Sequence, residues 1–277
     1  MNAEMHTRPI PCTGEPLPVI GCGTYMGFDH APGSGEFTQL PDVLAALFAG
    51  GGSVVDSSPM YGKAEAAVGQ LLDEAGTRPQ AFVATKVWTT GRAAGIRQME
   101  NSLRLLRTER VDLLQVHNLV DCENQLATLR AWQQQGRVRY IGITHYTASA
   151  YAEVEAVLRR ERLDFLQINY SAQEREAERR LLPLAAERGV AVLVNRPLGG
   201  GGLLRRLRAR ALPAWADEIG CTTWSQLLLK FALSHPAVTC AIPGSGSPVH
   251  MAQNALAGRG APPEPAFWTD KLAALAA

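Results

Sequence analysis

Four side chains of the types used in proton transfer close or follow short apolar runs. Asp56 ends SVVD at 53–56, Tyr61 lies in the SSPMYG stretch directly after it, Lys86 ends AFVATK at 81–86, and His117 ends VDLLQVH at 111–117. A carboxylate beside an ammonium makes an ion pair, while a phenol and an imidazole give or take protons at a reacting oxygen. Taken singly, each has an ordinary structural use: Asp56 can cap the next helix, Tyr61 can be a pocket aromatic, Lys86 can face solvent and His117 can be packed. Lys86 is the hardest to set aside, because it extends an apolar strand and a buried ammonium needs a compensating charge, which Asp56 could supply. Their joint position at successive strand ends is more specific than any one of them.

The elements that must position these residues recur in a regular rhythm. Apolar runs at 17–21 (LPVIG), 53–56, 81–86, 111–117, 139–144 (RYIGIT), 164–169 (DFLQIN), 190–195 (VAVLVN) and 238–243 (VTCAIP) read as strands covered on both faces. Helical patterns fill the intervals, with EREAERRLLPLAAERG at 174–189 reading as one helix. Together they predict an α/β fold, a (β/α)8 TIM barrel forming one domain over 1–277, in which the C-terminal strand ends share a mouth. A doubly wound sheet is the alternative, but GCGTYMG at 21–27 lacks the G-x-G-x-x-G spacing of a dinucleotide-binding turn. The long interval 196–237 carries GGGG at 199–202, which permits close backbone approach, followed by the basic segment LLRRLRARALPAW, which could cover a ligand. The last apolar segment is expected to cap an end or cover a groove.

Composition narrows the function classes. With 277 residues, 46% hydrophobic and 19% charged, the chain can bury a large core and is not disordered. A net charge of +1 supplies no field for nucleic acid or anionic lipid, and RRLRAR at 205–210 reads as a solvated face. The five cysteines are odd in number and lack a C-x-x-C pair, the first ten residues hold no apolar signal segment, and no run approaches the roughly 20 residues that span a bilayer. A cytoplasmic protein is expected, a monomer or weak homo-oligomer that acts on a small molecule and binds neither nucleic acid nor membrane. No H-E-x-x-H, G-x-S-x-G or phosphate-loop motif occurs, so no metal site is expected.

The stretch from Asp56 to Gly62 (Asp-Ser-Ser-Pro-Met-Tyr-Gly), ATK at 84–86 and LLQVHNL at 113–119 together resemble the aldo-keto reductase superfamily, and the likeness runs along essentially the whole chain. The resemblance implies an NAD(P)H-dependent oxidoreductase that reduces an aldehyde or ketone to the alcohol. In that reading Tyr61 donates the proton, Lys86 lowers the phenol's pKa, Asp56 anchors the ammonium and His117 orients the carbonyl. The same resemblance places the cofactor against Gly23, Thr24 and Asp56, against Thr144 and His145 (the latter where Asn is usual), and against Gln167. Asn195 stands where many members have a stacking Tyr, Arg196 reaches for the pyrophosphate, and Leu198 and Gly199 lie toward the adenine. In IPGSGSPVHMAQN at 242–254, Gly244, Ser245 and Gly246 would meet phosphate ahead of a helix starting near Pro248. His250 replaces the family's 2′-phosphate Arg and Gln253 a Glu, whereas Asn254 keeps the adenine amide. NADP is the first expectation and NAD the alternative, because neutral His250 attracts phosphate less than Arg does. Tyr25, Trp88, Asn118 and Tyr146 would line the substrate pocket. A cofactor-binding regulatory or scaffold protein with little turnover is the alternative function.

Overall fold

The computed structural model describes residues 4–275. Its main sheet has eight strands: β1 (Cys22–Gly23), β2 (Val54–Asp56), β3 (Phe82–Val87), β4 (Val111–His117), β5 (Val138–His145), β6 (Phe165–Asn169), β7 (Ala191–Asn195) and β8 (Val238–Ala241). Each pairs in parallel with the next. The ring closes where Ile20 bridges Ala241 and Gly23 bridges Gly244, with Gly21 N donating to Ala241 O at 2.9 Å and Ala241 N to Val19 O at 2.8 Å. Closure decides for the (β/α)8 barrel over the doubly wound alternative.

The first strand departs from the expectation of 17–21. Pro16–Pro18 instead pairs antiparallel with Thr7–Pro9 in a hairpin, and β1 begins at Cys22. Proline has no N–H to give a central strand, so a run holding Pro18 is better used at an edge, where it joins Pro16 in the hairpin. Ile10 and Leu17 of this hairpin region pack into the barrel with Phe82, Leu113, Tyr140 and Phe165. Tyr140 lies 5.9 Å from Phe82 and 5.5 Å from Phe165 between ring centroids, and these aromatics fill the floor.

Helices α1 (Leu40–Ala49), α2 (Ala64–Glu74), α3 (Arg92–Leu105), α4 (Cys122–Gln134) and α5 (Tyr151–Arg160) follow β1 to β5 in turn. The single helix expected at 174–189 is divided into a 3-10 turn at Glu176–Arg179 and α6 (Leu181–Glu187), with Arg180 at φ −141° between them. Pro183 explains the break: it fits the first turn of a helix but would clash with the carbonyl four residues back were the helix continuous. After β7, Gly199, Gly200 and Gly201 all take positive φ (64°, 60° and 81°) and lead into α7 (Gly202–Leu207), pinned by buried Leu203 and Leu207. The chain continues through α8 (Trp224–Ser234), β8, α9 (Pro248–Leu256) and α10 (Leu272–Leu275). Trp268, just before α10, packs edge-on against Phe231 of α8 and donates from Nε1 to Ser234 Oγ at 2.6 Å, so the last segment covers the outside of that helix. Among the described residues no helix is long and apolar enough to cross a membrane.

Arg8 ties the hairpin to α8. Its guanidinium donates to Leu233 O at 2.7 Å and His235 O at 2.9 Å, and also to Val238 O, so one side chain joins the hairpin to the end of α8 and the start of β8. Arg8→Ala should destabilise the fold by about 2 kcal/mol, read as a fall of roughly 4 °C in Tm; an unchanged Tm would show that water replaces these bonds freely.

Candidate active site

Side chains alternate across each strand, so the residues that fill the floor also fix what faces the barrel axis above it. Phe82 and Ala84 point inward with the floor cluster, and Lys86 follows in the same row. The same alternation carries Val54 to Asp56, Leu113 to Gln115 and His117, Phe165 to Gln167 and Asn169, and Leu193 to Asn195. Thr85 points the other way and donates to buried Glu65 of α2.

Lys86 is fully buried, and its Nζ lies 2.8 Å from both Asp56 carboxylate oxygens and 2.6 Å from Ser57 O. The centroid of the Tyr61 ring is 5.2 Å from that nitrogen, and the rings of Tyr61 and His117 stand 6.1 Å apart, edge to face. The loop, two strand ends and the β2 terminus thus bring all four residues around one space. Burial acts against the Lys86 ammonium, but Asp56 and Tyr61 more than offset it and hold its pKa above the usual value. At the Tyr61 phenol the expected downward pull of Lys86 is present but meets a larger opposing effect. Burial raises its pKa and outweighs the pull of Lys86, so the residue is held protonated. His117 is pushed down to about 3 by burial first and then by the charge of Lys86, which keeps its imidazole neutral. Its Nδ1 lies 3.1 Å from Ser58 Oγ.

An amide relay beneath the ion pair has a member that the sequence reading missed. Gln115 Nε2 donates to Gln167 Oε1 at 2.7 Å, and Gln167 Nε2 donates to Asp56 Oδ2 at 3.2 Å. Gln167, expected at a cofactor, here has both ends of its amide engaged within the barrel. Gln115 shares the inward row of His117, and that spacing was the signal available.

The other expected residues ring the mouth. Thr24 Oγ1 donates to Asp56 O at 3.0 Å, beside Gly23, and buried Thr144 sits opposite His117 in register. His145 accepts on Nδ1 from Thr147 N at 3.2 Å and stacks on Tyr146. Arg196, at φ 51°, lies 3.3 Å from Glu174 Oε1, so an acidic neighbour engages the group expected at a pyrophosphate. Leu198 and Gly199 are half-buried on the loop that follows it. On α9, Ser247 caps the first turn by accepting from His250 N at 3.5 Å, with His250 exposed, Gln253 half-buried and Asn254 buried. Tyr25, Trp88 and Tyr146 are exposed by 60%, 43% and 49%, and Met26 and Met60, not anticipated, are exposed by 70% and 39%. Gln98 of α3 brackets the Trp88 backbone, accepting from its N–H at 2.6 Å and donating to its carbonyl at 3.2 Å.

Two features suit this rim to a nucleotide. Asn118, Asn169 and Asn195 each bury an Oδ1 that meets no partner among the described residues, leaving acceptors for a donor such as a carboxamide. The Gly27 and Gly246 backbones also pack so closely that a Cβ on Gly246 would lie 3.0 Å from Gly27 O, which fixes the Ser245–Gly246 turn just ahead of the α9 N-terminus, an end suited to a phosphate.

The profile of the Aldo/keto reductase family matches residues 19–260, spanning β1 to the end of α9. The chain belongs to the aldo/keto reductase family. Its relatives are similar in sequence and fold. The methylglyoxal reductase YeaE of Escherichia coli is 31% identical over 250 residues, covering 86% of this chain and 84% of that one. The aldo-keto reductase YhdN of Bacillus subtilis is 31% identical over 219 residues; the match covers 73% of this chain and 65% of that protein, slightly under two thirds of its length. The crystal structure of an aldo-keto reductase from Klebsiella pneumoniae in complex with NADPH superposes with a TM-score of 0.80 at 28% identity, over 99% of this chain and 94% of that one.

Proposed function

We propose that this aldo/keto reductase reduces small, uncharged aldehydes or ketones bearing an apolar or aromatic group, with NADPH as reductant. The observation that carries the reading is the buried Lys86–Asp56 pair beneath a protonated Tyr61, facing a neutral His117. The chemistry a bound nicotinamide supplies is hydride donation to the carbonyl carbon. Negative charge then develops on the oxygen, and Tyr61 gives that oxygen its proton. Lys86 stabilises the phenolate left behind, Asp56 keeps the ammonium charged in its dry setting, and His117 holds the carbonyl oxygen by a hydrogen bond. His117 is not the acid at neutral pH, because its ring is already neutral there and its one remaining N–H donates a hydrogen bond without being released. Tyr25, Met26, Met60, Trp88 and Tyr146 offer apolar area to the rest of the substrate, and Asn118 offers one polar contact.

Residues of the rim would hold the cofactor: Gly23, Thr24 and Thr144 near the ring, His145, Asn169 and Asn195 toward the carboxamide, Ser245 and Gly246 at phosphate, and His250, Gln253 and Asn254 toward the adenosine end. Support for NADP comes from the NADPH complex of the Klebsiella relative. His250→Arg should then favour NADPH over NADH by about tenfold, the value of one charge-assisted hydrogen bond. An unchanged ratio of the two Kd values would remove His250 from the cofactor site. Loss of NADPH absorbance with a panel of aromatic aldehydes tests the activity directly; cofactor binding with no oxidation across aldehydes, ketones and sugars would favour a regulatory role.

A further inference from the structure

We propose that Ser58 is a positioning residue that fixes the neutral His117 ring as the Nε2–H tautomer, so that Nε2 presents its proton to the carbonyl oxygen. This rests on reading His117 as the group that faces the substrate. Ser58 is fully buried, so water does not complete its hydrogen bonds, while His117 keeps 5% of its surface exposed. The hydroxyl has two neighbours: His117 Nδ1 at 3.1 Å and the Met60 backbone N–H at 3.4 Å, which donates to it.

Two arrangements are open to this pair. If Nδ1 carried the proton and donated to Ser58, the hydroxyl would accept twice and its own proton would meet no acceptor among the described residues, the costly case of a buried unsatisfied donor. If Ser58 instead donates to Nδ1, its oxygen accepts from Met60, its proton is used, and the imidazole proton is left on Nε2. The second arrangement satisfies the hydroxyl, Nδ1 and the Met60 N–H, and leaves the Nε2 proton free for a substrate. The backbone is restrained in support, since Ser58 precedes Pro59 and residues before proline are held away from helical geometry. Ser58 O also accepts from Tyr61 N at 3.0 Å, while Ser57 O takes the Lys86 ammonium. The two residues after Asp56 therefore touch the acid, the ammonium and the imidazole together.

The test is proton–nitrogen NMR of the NADP-bound protein carrying isotope-labelled histidine, with the His117 signal assigned by its loss in His117→Asn. The wild-type ring should show a proton on Nε2 alone, and Ser58→Ala should show a mixture of tautomers. In Ser58→Ala, kcat for an aromatic aldehyde should fall about fivefold, the rate equivalent of one net hydrogen bond, with the Kd for NADPH unchanged. Ser58→Thr, which keeps the hydroxyl, should restore both tautomer and rate. A wild-type ring protonated on Nδ1, or a Ser58→Ala protein with unaltered tautomer and kcat, would overturn the assignment. A tautomer change on Ser58→Ala in a wild-type protein that turns over no carbonyl would support the Ser58 assignment and overturn the reductase reading, so the two fail separately.

Discussion

In Tyr61→Phe, kcat should fall about 10³-fold, the scale of a positioned acid, while the Kd for NADPH stays unchanged. The ring keeps its contacts with Tyr25 and His117, at centroid distances of 5.1 and 6.1 Å, and loses only the hydroxyl. Single-turnover kinetics should place the loss in the chemical step; an equal loss of cofactor affinity would contradict the role of acid. The wild-type pH profile follows from the same assignment. Reduction needs Tyr61 protonated, and burial lifts its pKa above 10.0, so the rate should hold through neutral pH and fall only on the alkaline side. With His117 near 3, no ionisation of that ring should appear between pH 5 and 8. A profile that drops across pH 6 to 7 would mean that the proton comes from somewhere else.

Lys86→Met should be costly in a second way. Asp56 is 2% exposed, and without Lys86 its remaining side-chain donor is Gln167 at 3.2 Å, so the substitution strands a buried carboxylate. Breaking one partner of such a pair costs about 3–5 kcal/mol, which in a chain of this size is a fall of roughly 6–10 °C in Tm. Activity should be lost even well below that transition, because the phenolate then forms without its counter-charge. Pairing the change with Asp56→Asn separates the two effects: the double variant should regain most of the Tm and none of the rate. A double variant that regains rate would make the pair structural.

The barrel and the four central residues were legible because both follow from one periodicity. A two-residue alternation in covered strands fixes which side chains meet at the axis, and chain order around the sheet makes remote strand ends neighbours. Gln115 obeys that rule and was missed only because glutamine carries no charge to draw attention. Ser58 offered no comparable signal: its meaning depends on the distance between a loop hydroxyl and a ring on another strand, which no spacing encodes. The first strand failed where an apolar run concealed Pro18, and the helix at 174–189 failed at Pro183 for a related reason, since periodicity registers side-chain polarity and says nothing of a missing N–H. Nor could sequence weigh Lys86 against burial at Tyr61; that balance depends on how much water the folded loop excludes.

The packed rings of Phe82, Tyr140 and Phe165 leave the lower end of the barrel sealed. Traffic is therefore through a single doorway. With Tyr61 as the proposed acid, its phenolate would be recharged from bulk solvent by the route a product alcohol had just vacated, which would tie departure of product and renewal of the acid to one event.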